Sequence, residues 1–116
     1  MQEQTKKELV QRIVRNLLDV HILRLVETQP TWGYKIKKLA DTKFGLRLRH
    51  GALYPLLNRL EREGFLTSQR QPQGGRMRKT YTITKKGREY VRAYEDILKE
   101  QIQKLDITQT GQDEEK

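Results

Sequence analysis

Residues 48–65 (LRHGALYPLLNRLEREGF) constrain this chain more than any other stretch. Leu53, Leu56, Leu57 and Leu60 recur at the spacing of one helical face. Pro55 has no backbone donor and is tolerated only early in a helix, which sets the expected start near His50 or Gly51. Gly64 supplies the left-handed residue that commonly ends a helix. Opposite the leucines stand Tyr54, Asn58, Arg59 and Arg62. The expected element is a short helix anchored by one face, presenting donors on the other.

The charge pattern says what such a face can meet. The chain has 116 residues and a net charge of +9, enough for one domain with a small core. Residues 34–92 carry sixteen Lys and Arg against four Asp and Glu, a balance of +12. Residues 1–33 sum to +1 and residues 93–116 to −4. A cationic middle between weakly charged ends points to a polyanion, and nucleic acid is the leading candidate.

Taken in order, Thr5-Lys-Lys-Glu8 has capping-box spacing and opens a first helix. Its apolar stripe is expected to run unbroken to about Glu27, before Pro30 stops it. Thr31 then caps a second helix bearing Tyr34, Ile36, Leu39 and Ala40, with Lys35, Lys37 and Lys38 outside. Leu46, Arg47 and Leu48 alternate as a short edge strand before the helix at 48–65. Residues 65–70 and 77–84 form strands of a hairpin around the turn cluster at 71–75. Thr84 caps a last helix, in which Val91, Tyr94, Leu98 and Leu105 fall at heptad spacing and Tyr90, Ile97 and Ile102 widen the seam.

The fold class is therefore mainly α with a small β-hairpin (α+β), in the order of a winged helix-turn-helix. Residues 5–84 form the expected DNA-binding domain and 85–107 a long C-terminal dimerisation helix. Residues 108–116 form a polar acidic tail expected to be disordered.

The same residues resemble the PadR-like transcriptional regulators. The resemblance rests on Gly33-Tyr34-Lys35-Ile36, then Gly51-Ala-Leu-Tyr54-Pro-Leu-Leu, then Arg59-Leu-Glu61-Arg-Glu-Gly64. Gly75-Arg-Met-Arg-Lys79-Thr-Tyr81 and Thr84-Lys-Lys-Gly87 complete it. It covers roughly residues 9–94. It implies a dimeric DNA-binding repressor or autoregulator whose C-terminal helices exchange contacts with the partner's first helix. Arg49 and His50 stand where the family often places a small capping hydroxyl, which suggests an additional phosphate contact. Effector-responsive relatives imply a small-molecule site at the dimer interface, lined by Trp32, Tyr90 or Tyr94.

Gly51, Ala52 and Asn58 are expected nearest base edges, since the first two permit close approach and Asn58 can pair with adenine. Tyr54, Arg59, Arg47, Arg49 and His50 suit phosphates, which set register rather than sequence; a half-buried Tyr54 with a wet hydroxyl is the alternative. Gly74 and Gly75 form the wing tip, whose Arg76, Arg78 and Lys79 follow adjacent phosphates or the minor groove. Tyr34, Lys35 and Lys38 offer backbone contacts from the second helix. Tyr90, Val91, Tyr94, Ile97, Leu98, Ile102 and Leu105 form the expected dimer seam.

These features make a homodimeric, sequence-specific regulator binding an inverted-repeat operator the first expectation. A winged helix that binds RNA or protein, and a nonspecific architectural DNA binder, are the alternatives. His21 reads as a core or interface histidine. Two distant histidines, no cysteine and no clustered carboxylates give no support to an enzyme, a metal site or a cofactor. With no apolar run near the ~20 residues that span a bilayer, and no signal-like start, the expected location is cytoplasmic, without membrane contact.

Overall fold

The long first stripe makes two helices rather than one. In the computed structural model, which describes residues 2–45 and 48–106, α1 (Glu3–Asn16) and α2 (Leu18–Thr28) meet at Leu17. Leu17 has φ −112° and ψ 22°, outside helical space. The break separates two kinds of surface. α2 buries Val20, Ile22, Leu23, Leu25 and Val26, whereas α1 buries only Val14. Asp19 accepts the Val20 N–H at 2.8 Å, occupying one of the free donors that open α2. The capping box does not form either. Gln2 is the N-cap and Glu3 lies in the first turn, where a carboxylate meets the positive helix end, so Thr5 and Glu8 fall inside α1.

Thr31 is likewise not a cap. It pairs in β1 (Thr31–Trp32), and Trp32 is the N-cap of α3 (Gly33–Phe44). β1 joins β3 (Arg76–Ile83) antiparallel, with Thr31 opposite Tyr81 and Trp32 opposite Thr80. The third strand thus comes from before α3. Of the edge strand expected at Leu46–Leu48, Leu46 and Arg47 lie outside the described residues, and Leu48 is a buried core residue without strand pairing.

α4 (His50–Arg62) starts where Pro55 requires. Proline's ring would crowd the carbonyl four residues back, and that residue is the small, exposed Gly51. The helix ends in a Schellman arrangement: Phe65 N–H reaches Leu60 O at 2.9 Å and Gly64 N–H reaches Glu61 O at 3.0 Å. This needs a left-handed residue, and Gly64 has φ +84°.

β2 (Leu66–Gln73) and β3 pair along their full length around a two-residue turn, Gly74 and Gly75. Both glycines have positive φ, +56° and +80°, as a type I′ hairpin turn demands. The turn is tighter than the expected cluster because Gln71, Pro72 and Gln73 extend β2; Pro72 is tolerated on this edge strand.

Thr84 caps α5 (Lys85–Lys104) as expected, accepting Gly87 N–H at 3.0 Å and donating to Gly64 O at 2.6 Å. One hydroxyl therefore joins the end of α4 to the start of α5. The core gathers Ile22, Leu23 and Val26 of α2, Ile36 of α3, Leu53, Leu57 and Leu60 of α4, Leu66 and Ile83 of the hairpin, and Val91 of α5. The result is a winged helix-turn-helix: α3 and α4 side by side, β2–β3 as the wing, and a long C-terminal helix.

Candidate nucleic-acid interface

Anchoring Leu53, Leu57 and Leu60 turns Gly51, Ala52, Tyr54 and Asn58 outward, and all four are exposed. Gly51, Tyr54 and Asn58 lie at i, i+3 and i+7, on one stripe. Tyr54 is 38% exposed, and its ring packs against the first residue of α3. A Cβ at Gly33 would stand 2.7 Å from Tyr54 Cε1 and 2.8 Å from its oxygen. The two readings of Tyr54 therefore meet: the ring is seated on α3 while an edge faces solvent.

Beside this stripe, a cleft of about 260 Å³ is bounded by Trp32, Tyr34, Tyr54, Asn58, Arg78 and Lys79. It brings recognition-helix, second-helix and wing residues of the sequence reading to one place. Trp32 holds two cations by cation–π contact: Lys35 Nζ lies 5.3 Å from the ring, and the guanidinium of Arg78, which lines the cleft, 5.4 Å from it. Lys35, expected to offer a backbone contact, is drawn over Trp32 and half-buried.

Lys79 also has a partner in its own chain. Its Nζ lies 3.2 Å from Glu61 Oε1 and over the Tyr81 ring at 5.5 Å. Ser68 donates to Glu61 Oε2 at 2.5 Å. The Ser68 hydroxyl, and then Lys79, hold the Glu61 carboxyl below its usual range, while the bond to Glu61 pushes Lys79 up. Both stay ionised, and α4 is tied to both wing strands. With side chains 46% and 32% exposed, the ion pair contributes about 1 kcal/mol or less; its consequence is orientation. The sequence reading missed Glu61 and Ser68. The available signal was a carboxylate at helical spacing from Leu57, within a segment otherwise rich in cations.

At the other end of α4, an open groove of about 880 Å³ gathers Arg15, Tyr34, Lys37, Lys38 and Arg49, with one carboxylate, Asp41, among the cations. No described side chain caps this end, leaving backbone donors and the positive helix pole toward an anion. Arg15, from the last turn of α1, was not foreseen because the sequence placed it mid-helix. Arg47 and the His50 side chain lie outside the described residues. Arg76, Gly74 and Gly75 are exposed at the wing tip, as expected.

The proposed effector lining is divided. Trp32 lies in the wing-side cleft, whereas Tyr90 and Tyr94, with ring centroids 5.9 Å apart, line a separate cleft with Arg15, Asp19 and Arg59, of about 410 Å³. Arg59 therefore faces away from Asn58, 3.8 Å from Glu63.

The expected dimer seam divides too. Val91 is fully buried in its own chain's core, so it cannot touch a partner directly. Tyr90 stacks on Phe65 at 4.4 Å and donates to Asp19 at 3.0 Å; burial and this bond push its hydroxyl up to about 12. Tyr94 and Leu98 are half-buried, and Ile97, Ile102 and Leu105 are exposed. On α1, Leu9, Val10 and Ile13 are also exposed. His21 packs on Phe44 at 4.4 Å, and burial, then Arg24, hold its pKa below the usual range against the opposing pull of Asp19.

Among the described residues, no group of three His, Asp or Glu could hold a metal. No described helix is long and apolar enough to cross a membrane.

Residues 22–93 match the family described as transcriptional regulator PadR-like. A curated transcriptional regulator from Mycobacterium tuberculosis is 40% identical over 63 residues, spanning 51% of this chain and 59% of that protein's length. A PadR-family regulator from Eggerthella lenta superposes with a TM-score of 0.69 at 31% identity, covering 89% of this chain and 93% of its own. Bacillus subtilis PadR, solved in complex with operator DNA, superposes with a TM-score of 0.62 at 30% identity. That match covers 67% of this chain and 45% of the Bacillus chain.

Proposed function

The chain belongs to the PadR-like family of transcriptional regulators, and from that premise we propose that it binds an inverted-repeat operator as a homodimer and acts as a repressor. Each subunit places the Gly51–Asn58 stripe of α4 in a major groove. Its wing, carrying Arg76 and Arg78, lies over the neighbouring backbone or minor groove, and Arg49, Lys38 and Tyr34 hold phosphates at the start of α4. The observation that carries this reading is the shared cleft of Tyr54, Asn58 and the wing cations. Bacillus subtilis PadR binds operator DNA with a related fold, which supports a DNA partner here.

The exposed apolar residues of α1 and of the far half of α5 support self-association, burying Leu9, Val10 and Ile13 against a partner's Ile97, Ile102 and Leu105. Occupancy of the operator by such a dimer blocks transcription. The Tyr90–Tyr94 cleft, beside these faces, supports an effector site that alters the angle between the two reading heads.

A salt series tests the DNA reading. Several phosphate contacts require log K to fall steeply and linearly with log salt concentration. A flat dependence rejects it, and stronger retention of structured RNA than of any duplex moves the partner to RNA.

A further inference from the structure

The two faces of the wing differ in a way that phosphate binding does not explain. Strand alternation puts Leu66, Ser68, Arg70 and Pro72 on the same face as their partners Ile83, Tyr81, Lys79 and Met77. From base to tip this face runs through buried Leu66 and Ile83, then Ser68 and Tyr81 beside Glu61, then Arg70 and Lys79. It ends in an apolar pair, Pro72 opposite Met77, with Met77 59% exposed. The other face carries Thr67, Gln69, Gln71 and Gln73 against Thr82, Thr80, Arg78 and Arg76, and is polar throughout.

The Pro72–Met77 pair stands two residues beyond the Lys79–Glu61 tie, or about 6–7 Å further along the strands. It continues the α4-facing side of the wing past its last tie to that helix. The other large exposed apolar residues among those described lie on α1 and α5, or are the hydroxyl-bearing Tyr34 and Tyr54 of the DNA face. Met77 is thus the exposed aliphatic of the cationic surface. Residues 66–83 around it hold four Lys and Arg and no carboxylate, a balance suited to DNA and unsuited to a cationic partner.

Resting on the DNA reading above, we propose that Met77, backed by Pro72, is an apolar contact to deoxyribose edges in the minor groove flanking each half-site. A thioether cannot donate to a phosphate, but it packs on sugar C–H surfaces. Methionine and proline are among the residues that DNA-binding proteins press into minor grooves. Arg76, next to it at the glycine turn, supplies the attraction to the groove's negative potential.

The test uses a duplex selected from a random pool by the wild-type protein, with Met77→Ala and Met77→Leu compared across a salt series and by hydroxyl-radical footprinting. Met77→Ala should bind about tenfold more weakly, the scale of burying such a side chain. Its salt slope should be unchanged, because no cation is lost. Sugar protection should disappear at the outer edges of the footprint, and Met77→Leu, similar in volume, should restore both. Equal affinity and an unaltered footprint for Met77→Ala overturn the proposal. A change in sedimentation mass instead of affinity also overturns it, by making the patch a contact between copies. A wild-type protein that retains no duplex from the pool rejects the DNA reading itself, a result separate from these.

Discussion

On the proposed reading, Asn58 and Arg76 represent two kinds of contact that a DNA-binding surface must combine. Asn58 is exposed on the outward face of α4 beside Tyr54, where an amide can pair with one base edge. Arg76 is exposed next to a glycine turn, placed for phosphate or groove wall. Asn58→Ala should relax discrimination at a single base pair by about 1–3 kcal/mol, while Arg76→Ala should weaken all duplexes alike and reduce the salt slope by about one. Affinities measured over a panel of singly substituted duplexes separate these outcomes. A uniform loss for Asn58→Ala would make it another backbone contact. The cations of this surface are not equivalent at this scale: Arg78 lies over Trp32 and Lys79 on Glu61, leaving Arg76 the least engaged of the three wing cations named from sequence.

Among the elements, the relation between α4 and the wing matters more than either alone. Glu61 takes Ser68 from β2 and Lys79 from β3, tying both wing strands to α4. Thr84 ties the end of α4 to the start of α5. Glu61→Gln raises the net charge by one, so simple electrostatics would tighten DNA binding. If Glu61 orients the wing, the variant should instead bind about three- to tenfold more weakly, the scale of one hydrogen bond. Faster amide exchange in β2 and β3 should accompany the loss. Tighter binding with unchanged exchange would reduce Glu61 to a nearby negative charge.

These elements were unequally legible. α4, the hairpin and the Thr84 cap could be read because local signals set them: leucine spacing, Pro55, Gly64, the Gly74–Gly75 pair and a hydroxyl before Lys85. The break at Leu17 could not, because the apolar periodicity continues through it and only burial distinguishes α1 from α2. β1 was hidden for a similar reason. Two residues carry no period, and Thr31 resembles a helix cap until Tyr81 is found opposite it. The Glu61 tie joins residues seven and eighteen positions apart through folding alone; the local pattern shows the carboxylate but neither of its partners.

The whole molecule is elongated, 65 × 36 × 21 Å, with apolar residues uncovered at α1 and the far end of α5. The near half of α5 is fastened to α2 by Tyr90 on Asp19 and by Arg92 on Glu27, and the far half is mostly exposed. Ile97→Asp with Ile102→Asp should leave the fold intact and yield monomers in sedimentation, with operator affinity greatly reduced. Unchanged mass would place the self-contact elsewhere.

The proposed dimer would place two reading heads about a two-fold axis, and these demand a two-fold symmetric site. The most direct measurement is selection of bound sequences from a random duplex pool by the wild-type protein. The expected result is one enriched inverted repeat with half-site centres about one helical turn apart. Enrichment of a single unrepeated site, or of no sequence above the pool, would contradict dimeric, sequence-specific recognition by α4 and the wing.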